Sequence, residues 1–180
     1  MALEVAKVNG NVEAAGTRPG TPLPLGARRM LIPLEVAMVA LDTDEDGVAA
    51  MAEDGTLWPC WNLAARTTAR RRKIHVWRKC LEGNDIPRGS LDRIIAEALP
   101  RPVQNREELD WLFGKDAPGP PPVVRATELA WRFCCSKDLI ARLIAQGEIT
   151  AGRDARRKAK ESPKILYASV TEFLKRRLLQ

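Results

Sequence analysis

The stretch from Glu128 to Ile149, ELAWRFCCSKDLIARLIAQGEI, constrains the fold more than any other part of the chain. Leu129, Ala130 and Phe133 fall at i, i+1 and i+4, which gives a short helix one apolar stripe. Ser136 follows Cys134 and Cys135. Its hydroxyl can accept a bond from an amide that a helix start leaves unpaired, so Ser136 reads as the N-cap of a second helix. In that helix Leu139, Ile140, Leu143 and Ile144 form the apolar face, with Lys137, Asp138, Ala141 and Arg142 around the other sides. Gly147 supplies a left-handed stop. Helices this short bury too little to stand alone, so further elements must cover them.

The chain downstream provides them. Glu148 to Thr150 is short and extended, GRDARRKAKESPK follows with Arg153, Arg156, Arg157 and Lys158, and Ile165, Leu166 and Tyr167 are β-like. Together these predict a basic β-hairpin. Ser169 and Glu172 stand in capping-box spacing amid Val170, Phe173, Leu174 and Leu178, which predicts a closing amphipathic helix.

This order, with Glu128-Leu129-Ala130, Ser136, Ile140, Arg142, Gly147-Glu148, Tyr167 and Phe173-Leu174, resembles the winged helix-turn-helix of excisionases and the MerR-like superfamily. The resemblance runs from Val123 to Arg177. It implies that the residues opening the second helix face a DNA major groove, while the hairpin, or wing, follows the backbone or the minor groove. Ser136 and Lys137 would then contact phosphate, and Arg142 phosphate or base. Three positions depart from the family pattern: Cys134 stands where Gly is usual, Leu139 where a polar residue such as Thr is common, and Ala141 where Tyr or Arg often reaches the DNA. Fewer polar donors therefore face the groove for direct base readout.

From Leu31 the pattern returns. Glu35-Val36-Ala37 answers Glu128-Leu129-Ala130, and Val48, Met51 and Gly55-Thr56-Leu57 answer Ile140, Leu143 and Gly147-Glu148-Ile149, given one extra residue in the turn near Asp42 to Asp46. Leu57 to Trp61 and Lys73 to Trp77, separated by NLAARTTARRR, are the expected strands and tip of another wing. An internal duplication is expected, mainly α with small β-hairpin wings. Its parts are a flexible N-terminal arm (1–29), a degenerate winged helix-turn-helix-like module (30–82), a linker with two short amphipathic helices (83–118) and a winged helix-turn-helix module (119–180). In the linker, Leu91, Ile94, Ile95 and Ala98 share one helical face. Asn105 and Glu108 cap a brief helix bearing Leu109, Trp111, Leu112 and Phe113, and Gly114 to Pro122 is a stiff extended segment.

The two copies differ in charge. Asp42, Asp44, Glu45, Asp46, Glu53 and Asp54 occupy the turn and second helix of the first copy without a Lys or Arg, and Ala50 takes the place of Arg142. Acids at a helix start stabilise it, which accounts for some of them. A surface of this sign is repelled by phosphate, so this helix is expected to serve a protein partner or a second subunit. The adjoining run has the opposite sign: Arg66, Arg70, Arg71, Arg72, Lys73, Arg78 and Lys79 come without an intervening acid. Arg70 to Lys73 are expected on phosphate, while Trp58, Trp61 and Trp77 are expected in the core beside them.

The formal net charge of +6, with a pI near 9.4, suits a polyanionic partner. A hydrophobic content of 45% excludes global disorder. Cys60, Cys80, Cys134 and Cys135 come without a secretory signal and read as reduced thiols of a cytoplasmic protein, and no apolar run is long enough to span a membrane. Cys60, His75 and Cys80 are competent zinc ligands, but there is no C-x-x-C pair and no fourth ligand, so no metal is expected. The single histidine, with no G-x-S-x-G, P-loop or G-x-G-x-x-G motif, gives no basis for catalysis or for a cofactor. The expected function is binding of double-stranded DNA as a recombination directionality factor or small transcription regulator of a mobile element. The alternative is a phage or mobile-element assembly adaptor of small-terminase-like kind, whose helix-turn-helix modules mainly bind protein.

Overall fold

The computed structural model describes residues 28–65, 72–83, 88–103, 122–152 and 162–179. Strand β1 (Leu31–Pro33) leads directly into helix α1 (Leu34–Leu41), because Pro33 holds the extended backbone that precedes a helix and has no amide to offer. Helix α2 (Glu45–Glu53), strands β2 (Cys60–Asn62) and β3 (Ile74–Trp77) and the one-turn helix α3 (Arg78–Leu81) follow. Helix α4 (Leu91–Ala98) comes after a 3-10 turn at Arg88–Ser90. The C-terminal part consists of β4 (Val123–Arg125), α5 (Ala126–Arg132), α6 (Lys137–Ala145), β5 (Lys164–Leu166) and α7 (Tyr167–Arg177). The fold is mainly helical with small antiparallel sheets.

Both halves close with corresponding main-chain bonds. The Thr43 amide donates to the Met38 carbonyl as the Cys135 amide does to Ala130, and Leu57 donates to Met51 as Ile149 does to Leu143. Arg78 donates to Met30 as Tyr167 does to Pro122. Asp42 and Cys134 take positive φ at matching places in the turn, and so do Gly55 and Gly147 after the second helix. One constant offset relates Leu34 to Ala126, Ala37 to Leu129, Asp44 to Ser136 and Gly55 to Gly147, so no extra residue is needed near Asp42 to Asp46. The expected pairing of Glu35-Val36-Ala37 with Glu128-Leu129-Ala130 is one residue out. Ala37 and Leu129 are the positions buried alike.

Each half also has a strand that the sequence reading lacked. β1 pairs antiparallel with β3, with Leu31 opposite Trp77 and Ile32 opposite Val76, and β2 pairs with the other edge of β3. β4 pairs with β5, with Val124 opposite Ile165. Val103 bridges to Val123 on the free side of β4, and Ala151 bridges to Ile165 on that of β5. α5 has no side-chain cap, so its first amides are met from the hairpin: Ala126 donates to the Pro163 carbonyl and Thr127 to the Ser162 hydroxyl, at 2.8 and 3.0 Å.

The β1-β3-β2 sheet is buried on both faces, which explains its unbroken apolar strands. Ile32, Val76 and Cys60 pack on Leu34, Ala37, Val48 and Ala52 of α1 and α2. Leu31, Trp77 and Trp61 point the other way, into a core with Ile94, Ile95 and Ala98 of α4 and with Leu129, Phe133, Leu139, Ile140, Phe173 and Leu174 of the C-terminal half. One continuous core therefore joins the two halves. Trp58 packs at its edge, so all three tryptophans of this region serve packing, as expected.

Main-chain bonds reinforce that join. The Met30 amide donates to the Arg132 carbonyl at 2.9 Å, and an Arg29 guanidinium nitrogen donates to the Trp131 carbonyl while the group stacks 4.6 Å from the Trp131 ring centroid. After α7, Leu178 bridges to Trp61 and the Leu179 amide donates to the Cys60 carbonyl at 2.8 Å. The expected capping box at Ser169 and Glu172 does not form, because β5 runs straight into α7 at Tyr167 and Ser169 lies inside the helix. Its hydroxyl instead accepts from the Thr150 amide at 2.7 Å, fixing the hairpin stem to α7. The expected helix from Asn105 and the arm up to Ala27 lie outside the described residues, as does the linker from Gly114 to Pro121.

Candidate nucleic-acid interface

Helix α6 begins where the sequence places it. Cys134 reaches φ 50 without being glycine, the turn closes on the Ala130 carbonyl, and the Ser136 hydroxyl accepts from the Leu139 amide at 3.2 Å. Leu139, Ile140 and Leu143 are buried. Ser136, Lys137, Asp138, Ala141, Arg142 and Ala145 are exposed on one outward face. Arg142 lies against its own helix, with Nε donating to the Asp138 carbonyl at 3.3 Å. The face therefore combines two cations and one carboxylate with the small side chains of Ala141 and Ala145. Gly147 at φ 69 then turns the chain toward the hairpin.

The sequence reading missed what holds this face in place. Glu148, directly after Gly147, is withdrawn into the protein and meets Arg177 of α7 at 2.9 Å and Arg176 at 3.7 Å. Arg176 also donates to the Glu148 carbonyl at 3.0 Å. The end of α6 is thus charge-locked to α7. The partners lie far apart in sequence, and the only available signal was a charged residue beside the apolar Ile149.

The corresponding face of α2 has the opposite sign. Asp44 caps the helix by accepting from the Gly47 amide at 2.8 Å, and Asp54 accepts from the Thr56 amide at 2.7 Å after it; the Thr56 hydroxyl first and this amide second hold the Asp54 carboxyl below its ordinary pKa. Glu45 and Asp46 lie in the first turn, where negative charge is favourable. Glu53 lies in the last turn, where it is not, and reaches Arg72 at 3.8 Å across an exposed pair. Val39 of α1, 78% exposed, adds an apolar spot to this half.

Of the wing residues singled out in the first copy, Arg72 and Lys73 are described and exposed at the base of β3, while Arg70 and Arg71 lie outside the described residues. Asn62 fixes this base by accepting from Ala64 and Lys73 amides at 3.1 and 3.0 Å. Arg153, Arg156, Arg157 and Lys158 also lie outside the described residues. Their stem is paired: Gly152 donates to Lys164 and Leu166 donates to Thr150.

The cysteines and the histidine are packing groups. Burial, with the Cys80 charge adding to it, pushes the Cys60 thiol up to about 12, and burial likewise pushes Cys80 and Cys135 up to about 12. Cys60 donates to the Leu57 carbonyl and Cys80 to the Trp58 carbonyl. His75 is buried beneath the turn at Cys134, with Nδ1 3.1 Å from the Lys73 carbonyl, and burial lowers its pKa. Among the described residues no three His, Cys, Asp or Glu side chains converge so as to hold a metal, and no helix is long and apolar enough to cross a membrane. Comparison of the chain with models of known families, with curated proteins and with solved structures returns no match.

Proposed function

We propose that this chain is a DNA-binding protein without enzymatic activity, built from two winged helix-turn-helix modules, of which the C-terminal one enters the major groove. The observation that carries this reading is the outward face of α6, where Ser136, Lys137 and Arg142 surround Ala141 and Ala145. Small side chains allow a helix to approach a groove floor closely, and the flanking hydroxyl and cations can reach phosphates or base edges. In the sequence Arg153, Arg156, Arg157 and Lys158 fall between the paired strands of the hairpin stem, and in this reading they contact the DNA backbone. Arg70, Arg71, Arg72 and Lys73 precede β3 in the sequence of the first module and are given the same role in this reading. The role is that of a recombination directionality factor or a small transcription regulator of a mobile element.

The first module contributes differently. Asp42 to Asp54 keep α2 out of a groove, so this module holds DNA through its wing and leaves α2 to a protein or a second copy. Val39 and these acids also favour a second reading, an assembly adaptor of small-terminase-like kind that works mainly through protein contacts.

Anisotropy of the full chain with a labelled random duplex, over a series of salt concentrations, separates the two. The DNA reading expects binding that weakens linearly on a log–log scale, with a slope of about −0.9 per phosphate contacted. Absence of binding at low salt leaves the adaptor reading.

A further inference from the structure

Away from the α6 face, the two halves and α4 enclose a cleft of about 430 Å³. Among the described residues its charged lining is Arg28, Arg78, Lys79, Glu82, Glu97 and Arg132, with Met30 between them. The Met30 main chain assembles it, since its amide donates to the Arg132 carbonyl and its carbonyl accepts from the Arg78 amide. Four cations therefore face two carboxylates. Arg78 meets Glu82 at 2.7 Å and Lys79 meets Glu97 at 2.6 Å, so both carboxylates already sit against a cation. Arg132 is held by neutral groups, donating to the Ala98 and Glu97 carbonyls at the end of α4 at 3.2 and 3.0 Å, with the Glu128 and Glu97 carboxylates acting on it only through space. Arg28 meets no carboxylate at salt-bridge distance among the described residues.

We propose that this cleft binds a phosphate group, with Arg28 and Arg132 supplying the charge that Glu82 and Glu97 leave unbalanced. A guanidinium suits this ligand because its planar donor fork matches paired phosphate oxygens, a fork Arg28 can offer, while Arg132, with Nε and one terminal nitrogen on main-chain carbonyls, offers its other terminal nitrogen. The lowered pKa of Arg132 fits the setting: burial lowers it most, Glu128 and Glu97 oppose that, and the Arg28 charge lowers it further. An anion seated between two cations that line the same cleft is held by both. The phosphate can belong to a DNA backbone or to a free phosphate compound. The site stands independently of the DNA-binding reading, because it rests on a different set of residues.

The test is titration of the full chain with inorganic pyrophosphate at constant ionic strength, followed through the arginine Nε–H resonances, with chloride as the control. Saturable shifts at Arg28 and Arg132 are expected with pyrophosphate and not with chloride. Arg28→Gln is expected to weaken pyrophosphate about fivefold, and Glu97→Gln to tighten it by a similar factor, a sign that general loosening of the fold would not produce. No saturable shift, no change with Arg28→Gln, or weaker binding with Glu97→Gln overturns the proposal. Duplex binding by Arg28→Gln then assigns the source. A loss of affinity with a shallower salt slope means backbone phosphate, and unchanged duplex affinity beside weakened pyrophosphate means a free phosphate compound.

Discussion

The Glu148 carboxylate lies 2.9 Å from the Arg177 guanidinium, with the Glu148 side chain 4% exposed and that of Arg177 19% exposed. The two meet as charges, off the hydrogen-bond direction. Removing Arg177 leaves the buried Glu148 carboxylate without its nearest cation and with Arg176 only at 3.7 Å, so Arg177→Ala is expected to cost about 2 to 4 kcal/mol. Arg176 is half exposed and more distant, at 3.7 Å, and Arg176→Ala is expected to cost about 1 kcal/mol or less. Urea denaturation of both variants checks the order. An equal or larger loss for Arg176→Ala would mean that Arg177 is not the residue holding the end of α6.

Arg142 and Ile140 are two positions apart on one helix with opposite environments. Arg142→Ala removes an exposed cation and is expected to change stability by about 0.5 kcal/mol or less, while weakening duplex binding. Ile140 is 1% exposed, so Ile140→Asp places an unpaired carboxylate in the core and is expected to abolish cooperative folding, a loss of about 4 kcal/mol or more. Thermal melts beside anisotropy measurements decide the matter.

Three thiols bind the fold to pH. Cys60, Cys80 and Cys135 have pKa values raised from an ordinary 9.0 to about 12. A thiol raised in the fold loses its proton more readily when unfolded, so its stabilising contribution is full below pH 9.0 and is lost as pH rises toward 12. Stability is expected to fall across that window, and Cys60→Ala to make the fall shallower. Alkylation of the folded chain with iodoacetamide, read by mass spectrometry, should modify Cys134 first, since it is the least enclosed of the four. Early modification of Cys60 would contradict this.

His75 acts in the opposite direction. Its pKa is lowered by burial from 6.5, so the neutral ring contributes stability above that value, and the contribution is lost as pH falls below it. Acid unfolding followed by circular dichroism should therefore begin at lower pH in a folded His75→Gln variant than in the parent chain.

A shared core also dictates how the molecule unfolds. Trp61 lies in the first half and is fully buried against residues of the second, so Trp61→Ala is expected to cost about 3 to 5 kcal/mol and to lower the stability of both halves together. Tryptophan fluorescence and far-ultraviolet circular dichroism should report one coincident transition in the parent chain and in the variant. Two separate transitions would show that the halves unfold independently.

Helix α6 was legible because its cues are local. Ser136, the apolar spacing of Leu139, Ile140 and Leu143, and Gly147 fall within a few turns, and each acts on its own neighbours. The alignment of the two copies went astray at the first helix because Glu35 and Ala37 repeat the letters of Glu128 and Ala130, whereas burial follows Ala37 and Leu129. Strands of three residues, such as β1 and β4, are too short to display alternation, and β1 is apolar at each position because both its faces are covered. Arg29 on Trp131, Arg132 on the end of α4 and Arg177 on Glu148 join distant parts of the chain, for which no local pattern exists. The phosphate cleft is assembled from four such separated segments, so its charges read in sequence only as scattered surface residues.

The bridge from Leu178 to Trp61, with the Leu179 amide on Cys60, sets an order of events during synthesis. β2 is the edge of its sheet, and its open side is covered by residues that leave the ribosome long after it. A nascent first half thus carries an unprotected strand edge and the bare faces of Trp61 and Trp77, both of which invite pairing with other chains. Only when α7 has emerged can that edge be sealed, so the risk of misassembly falls on the interval between making β2 and making Leu178.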